Sequence, residues 1–255
     1  MRLPDGRAIL RDVGLEIHSG EVHSILGLSG SGKTTLLKCI GALLRPTSGT
    51  ICIGDEDIAA MDETALNRIR RRIGFVFQYA ALFDSMTVFE NIAFGIRQHR
   101  TVAERHIPEV VRQRLHEVNL EGVEEQYPSE LSGGMRKRVG MARALAMDPD
   151  ILCYDEPTSG LDPVIGRAID DLIVATRDAR GVTSVVVSHD IGAALRISNR
   201  MTMIDDGAVV MTGLPEEFLQ AADPRVCRFM EEIAPLRTGY ETPDLRSAQT
   251  LRAGP

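Results

Sequence analysis

Residues Glu21-Val22-His23-Ser24-Ile25-Leu26-Gly27-Leu28-Ser29-Gly30-Ser31-Gly32-Lys33-Thr34-Thr35 decide the fold. Glu21 to Leu26 reads as a buried strand, and Lys33 to Leu44 as a helix stopped by Arg45-Pro46. Between them lies a loop with no side chain at Gly27, Gly30 or Gly32. Successive backbone N–H groups can then turn inward as an anion nest. Lys33 is placed to meet β- and γ-phosphates, and Thr34 offers a hydroxyl to Mg²⁺. Leu28, Ser29, Ser31 and Thr35 belong to the same candidate phosphate-binding stretch.

Outward from this loop the pattern is strand, helix, strand. Thr50 to Ile53, Ile73 to Phe77, Ile151 to Tyr154 and Thr183 to Ser188 read as strands, with a helix near Ile165–Ala179. Met201–Ile204 and Ala208–Met211 flank Asp205-Asp206-Gly207, a hairpin signal. Residues 8–18 alternate loosely and lead into a turn at Ser19-Gly20, as expected of an antiparallel N-terminal part. Residues 80–147 are rich in helical patterns. Among them Thr101 to Asn119 reads as a charged surface helix pair broken near Pro108, and Gly133 to Met147 as a clear helix. The expected class is α/β, a mostly parallel sheet with crossover helices and an inserted helical subdomain. Residues 234–255 lack periodicity and are expected to be an extended tail.

Composition narrows the function. The 255 residues carry 29 basic and 36 acidic side chains, a formal charge of -7, which argues against general nucleic-acid binding. The basic run Met135-Arg136-Lys137-Arg138 reads as a solvated helix face near phosphate. Cys39, Cys52, Cys153 and Cys227 are far apart, so reduced thiols are the expectation. No apolar run approaches the ~20 residues a spanning helix needs. If the protein works at a membrane, other chains supply the membrane part.

Three further segments carry chemistry. Ile151-Leu152-Cys153-Tyr154 ends in Asp155-Glu156, which sets two carboxylates at the carboxyl edge of the sheet, where ligands bind. Leu131-Ser132-Gly133-Gly134-Met135 opens a helix whose free N–H groups and dipole attract phosphate. One chain would then hold two anion sites. Asp162, before Pro163, reads as a helix N-cap.

A phosphate loop, a Leu-Ser-Gly-Gly segment and an Asp-Glu strand end, in this order, resemble the nucleotide-binding subunit of an ABC transporter, with a P-loop NTPase (RecA-like) core. The resemblance implies ATP and Mg²⁺ as ligands. It places Asp155 on Mg²⁺ and makes Glu156 the general base. It puts Gln78 on Mg²⁺ or the attacking water and His189 on the γ-phosphate. Ser132, Gly133 and Gly134 of one copy would meet ATP held by a second copy, and Asp162 would couple the two sites. The unit would span residues 1–233, with core 20–79 and 148–212 and the helical insert at 80–147. A membrane permease is the implied partner, with the chain at the cytoplasmic face of the inner membrane and no nucleic acid.

Met135 departs from the Gln common at that position. Leu-Ser-Gly-Gly-Met, the stretch Phe77-Gln78-Tyr79-Ala80-Ala81-Leu82-Phe83-Asp84-Ser85-Met86-Thr87-Val88-Phe89-Glu90-Asn91 and Asp223-Pro224-Arg225-Val226 resemble the ATPases of Mla-type, MCE-associated lipid transporters. That branch implies phospholipid cargo, an MCE-domain protein and a small accessory subunit. Amino acids or metal complexes are the alternative cargoes, and a soluble repair or translation ATPase is the rival. The family usually stacks adenine on an aromatic residue near position 2, yet no Phe, Tyr or Trp precedes Phe75. Either the true start lies upstream, or Arg2 or Val13 packs the adenine.

Overall fold

A computed structural model describes residues 1–2 and 6–231. The reading of 234–255 as a tail therefore lies outside the described residues. The main elements are β1 (Val22–Leu26), α1 (Lys33–Ile40), β2 (Cys52–Ile53), β3 (Glu56–Asp57), α2 (Glu63–Arg70) and β4 (Ile73–Val76). Then come α3 (Val88–His99), α4 (Ile107–Glu117), α5 (Gly133–Leu145), β5 (Ile151–Asp155), α6 (Pro163–Arg180) and β6 (Thr183–Ser188). The chain continues with α7 (Ile191–Ile197), β7 (Arg200–Asp205), β8 (Ala208–Gly213), α8 (Pro215–Leu219) and α9 (Pro224–Glu231).

Six strands form one sheet in the order β4-β5-β6-β1-β7-β8. All neighbours are parallel except β7 and β8. Every residue of β1 and β6 is buried, the polar His23, Ser24, Thr183, Ser184 and Ser188 included, as central parallel strands covered on both faces are. Register decides where the chemistry falls. Leu26 pairs with Ser188, Asp155 with Val187, and Val76 with Tyr154. The residues that follow these strand ends, Gly27, His189, Glu156 and Gln78, therefore emerge along one carboxyl edge.

The antiparallel N-terminal part is small. It consists of the β2–β3 ribbon and an isolated bridge between Arg2 and Ala8, and residues 8–18 form no strand. The β7–β8 turn uses left-handed backbone at Asp206 (φ 45°) and Gly207 (φ 77°), as a tight two-residue hairpin demands.

Helices α3, α4 and α5 pack as a unit whose apolar core is continuous with one face of the sheet. Ile92, Ile96, Val111, Leu115 and Val139 join Val76, Leu152 and Tyr154 in one cluster. Pro108 does not break a helix pair. It sits in the first turn of the single helix α4, where its missing N–H costs nothing. Helix α4 is also less of a surface element than its charge pattern implies, because Ile107, Val111 and Leu115 are buried.

Asn91 organises the entry to α3. Its Nδ2 donates to the carbonyls of Phe83, Met86 and Thr87, and its Oδ1 accepts from the N–H of Phe83. The side chain is fully buried. Asn91→Ala is expected to lower stability by about 3 kcal/mol, since it strands several backbone groups. Urea unfolding monitored by circular dichroism measures this directly.

Candidate functional site

The loop after β1 holds its shape through left-handed glycines: φ is 150° at Gly27, 83° at Gly30 and 102° at Gly32. A Cβ on Gly27 would lie 2.2 Å from the Ile204 carbonyl oxygen, so the strand beside it admits no side chain there. Lys33, only 6% exposed, donates through Nζ to the carbonyls of Gly27 (2.8 Å) and Leu28 (2.9 Å). Burial pushes its ammonium pKa down, and the carboxylates of Glu156 and Asp155 work against that shift. Ser31 Oγ is buried in the loop with no hydrogen-bond partner. This orphaned hydroxyl and the open space around a Cβ on Gly30 fit a cradle that accepts a polar ligand.

Two carboxylates close the site from β5. Asp155 accepts from Thr34 Oγ1 at 2.8 Å. A hydroxyl and a carboxylate so placed form an oxygen donor set of the kind Mg²⁺ takes. Glu156 is left-handed (φ 48°), an uncommon state for a residue with a Cβ. Its N–H donates to the Val187 carbonyl, and its Oε2 lies 2.8 Å from His189 Nδ1. The half-turn after β5 thus aims the Glu156 carboxylate at the loop after β6. Gln78 Nε2 reaches Ser159 Oγ at 3.4 Å.

A cleft of about 840 Å³ gathers these groups. Leu28, Ser29, Gly30, Gly32, Lys33, Thr34, Thr35, Gln78, Glu156 and His189 line it, and Asp155 joins through Thr34. Ser132, Gly133, Gly134 and Asp162 do not line it. They lie together elsewhere: Ser132 caps α5 by accepting from the Met135 N–H, and Asp162 caps α6 by accepting from the N–H groups of Val164 and Ile165. A Cβ on Gly134 would approach Ile165 Cγ2 to 2.7 Å, which packs the two helix starts against each other.

Three placements differ from the sequence expectations. Arg7 and Ile9 line the cleft in place of Arg2 and Val13. Arg2 is drawn away by its bridge to Ala8 and by an N–H bond to Thr47 Oγ1. Phe229 of α9 also reaches the cleft, a contact with no local sequence signal. Lys137 is not on a solvated face. It is 6% exposed, and its Nζ donates to the carbonyls of Gln78 and of Glu156 (3.2 Å).

Comparison with known proteins shows the family. The family model described as ABC transporter matches residues 10–159. The "Intermembrane phospholipid transport system ATP-binding protein MlaF" of Haemophilus influenzae is 40% identical over 240 residues, 93% of this chain and 91% of that protein. The "Glycine betaine transport ATP-binding protein OpuAA" of Bacillus subtilis is 39% identical over 239 residues, 93% of this chain but 57% of its own. Among solved structures, the "Dimeric structure of a post-hydrolysis state of the ATP-binding cassette MJ0796 bound to ADP and Pi" aligns with a TM-score of 0.75 at 36% identity, covering 81% of this chain and 90% of that one. With a phosphate loop, an Asp-Glu strand end and a cleft between them, this chain belongs to the ABC transporter family and is one of its ATPases.

Proposed function

We infer that this chain energises a membrane permease by Mg²⁺-dependent ATP hydrolysis, in two sites shared between two copies, and that the cargo is phospholipid. The observation that carries the catalytic reading is Glu156. Its carboxylate faces the cleft 2.8 Å from His189, on the edge that also carries Lys33 and the Thr34–Asp155 pair. Lys33 and the N–H groups of Gly30 to Lys33 bind the β- and γ-phosphates. Thr34 and Asp155 hold Mg²⁺, with Gln78 beside them. The ion, when bound, neutralises charge on the phosphate oxygens. Glu156 accepts the proton of the attacking water, and His189 donates to the γ-phosphate.

The segment Ser132–Gly134 and the loop ending in Asp162 lie outside the cleft of their own chain. That placement fits a role in closing the cleft of a second copy, whose γ-phosphate would meet the capped start of α5. The unit is read as residues 1–233, with the helical insert at 80–147 as the face toward the permease. A groove lined by Phe75, Phe77, Phe83, Phe94 and Arg143 adjoins the Gln78 loop and offers an apolar seat there. Among the described residues no helix is long and apolar enough to cross a membrane, so the permease supplies that part. The chain would then sit at the cytoplasmic face of the inner membrane.

Phospholipid as cargo rests on the likeness to MlaF over nine-tenths of both chains, and an MCE-domain protein and a small accessory subunit are the further partners that the Leu131–Met135 and Gln78-loop resemblance implies. The betaine transporter likeness supports a second reading, a small soluble cargo. One experiment separates them. The chain is co-expressed with its permease, reconstituted in liposomes, and ATP turnover and lipid movement are measured together. Phospholipid moved in an ATP-dependent way is expected. ATP turnover stimulated by betaine, with no lipid moved, would refute the lipid reading.

A further inference from the structure

Helix α5 does more than present its capped start. One side of it lies along the loop that follows β4. Arg143 donates to the carbonyls of Ala80 and Ala81, both left-handed (φ 59° and 48°), and a Cβ on Gly140 would sit 3.3 Å from Ala80 Cβ. Lys137 stands on the same side and reaches further. Its Nζ bridges the carbonyl of Gln78, in that loop, and the carbonyl of Glu156, at the end of β5. It therefore touches the peptides of two residues whose side chains face the cleft.

Glu156 needs such support. Its left-handed backbone is disfavoured for a side chain of its kind and persists only where the surroundings fix it. Three bonds fix it here. Its N–H donates to the Val187 carbonyl, and its carbonyl accepts from the Ser159 N–H and from Lys137. Only the Lys137 bond comes from the helix that begins at Ser132–Gly134. Burial disfavours the Lys137 charge, and Glu156 and Asp155 offset this.

We propose that Lys137 is a positioning residue. It holds Glu156 in the left-handed conformation that aims its carboxylate, and it locks that conformation to the Gln78 loop and to α5. Movement of the α5 start on meeting a second copy would then be transmitted to Glu156. The proposal rests on Glu156 acting as the base.

The test uses the full chain, Mg-ATP, steady-state kinetics and equilibrium ATP binding. Lys137→Met keeps the length and removes the donor. It should lower kcat about tenfold and leave the ATP dissociation constant within twofold of wild type. Lys137→Gln, whose amide donates two hydrogen bonds, should regain at least a third of the wild-type kcat, and it reads the same role if the Met variant does not fold. Added to Glu156→Gln, Lys137→Met should cause no further loss in single-turnover rate, because residues acting as a unit are non-additive. Normal kcat in Lys137→Met would overturn the proposal, as would ATP affinity falling in step with kcat, or a full tenfold further loss in the double variant. If Glu156→Gln alone turns over normally, the base assignment fails instead, whatever Lys137 does.

Discussion

Glu156→Gln is expected to lower kcat by at least ~10²-fold, the lower end of what a general base contributes, while ATP binding stays near wild type. The amide keeps the size of the carboxylate and a hydrogen bond toward His189, so the cleft retains its shape. What it loses is the capacity to take a proton from water. The Gly27–Thr34 loop, the Lys33 ammonium and the Thr34–Asp155 pair, the groups proposed to hold the triphosphate, are untouched. Phosphate release under saturating ATP, beside a binding titration of the same sample, checks both halves. A turnover within twofold of wild type would remove Glu156 from the role of base.

Lys33→Ala should act on the other quantity. Here ATP affinity itself is expected to fall about a hundredfold or more, equivalent to roughly 3 kcal/mol or more. The ammonium would give the β- and γ-phosphates charge-assisted hydrogen bonds of about 1.5–3 kcal/mol each, and alanine gives none. Lys33 is buried between the carbonyls of Gly27 and Leu28, so truncation also strands two acceptors inside the loop. Isothermal titration with ATP measures the affinity, and thermal melting reports how much stability goes with it. Affinity preserved within threefold would mean that the loop backbone alone holds the phosphates.

Much of this site was legible in the chain because its parts end strands. A buried apolar run declares a parallel strand, and the residue just past it falls on the carboxyl edge. That logic placed Asp155 and Glu156; Gln78 and His189 were singled out by the family resemblance, and the register of β1, β4, β5 and β6 sets both beside Gly27 on the same edge. Asp162 was also readable, as the cap it forms on α6. Residues whose role depends on a tertiary partner were not. Lys137 sits in a basic run, and charge patterning alone favours a solvated face. Only packing of α5 on the Gln78 loop turns its ammonium inward. Pro108 looked like a break because proline cannot continue a helix, yet it also starts one well. Arg7 and Ile9 reach the cleft because residues 8–18 run as irregular chain beside the hairpin turn, where Arg11 N–H donates to the Gly207 carbonyl. No alternation pattern records that path.

The capped start of α5 lies outside the cleft of its own chain, so each cleft is expected to be completed by the Ser132–Gly134 segment of another copy. Light scattering of the Glu156→Gln chain at saturating Mg-ATP, with bound nucleotide counted in the same peak, tests it most directly. The expected result is a particle of twice the chain mass that holds two ATP and reverts to single chains when ATP is withdrawn. A single chain carrying one tightly bound ATP, with no larger species at any concentration tested, would contradict it.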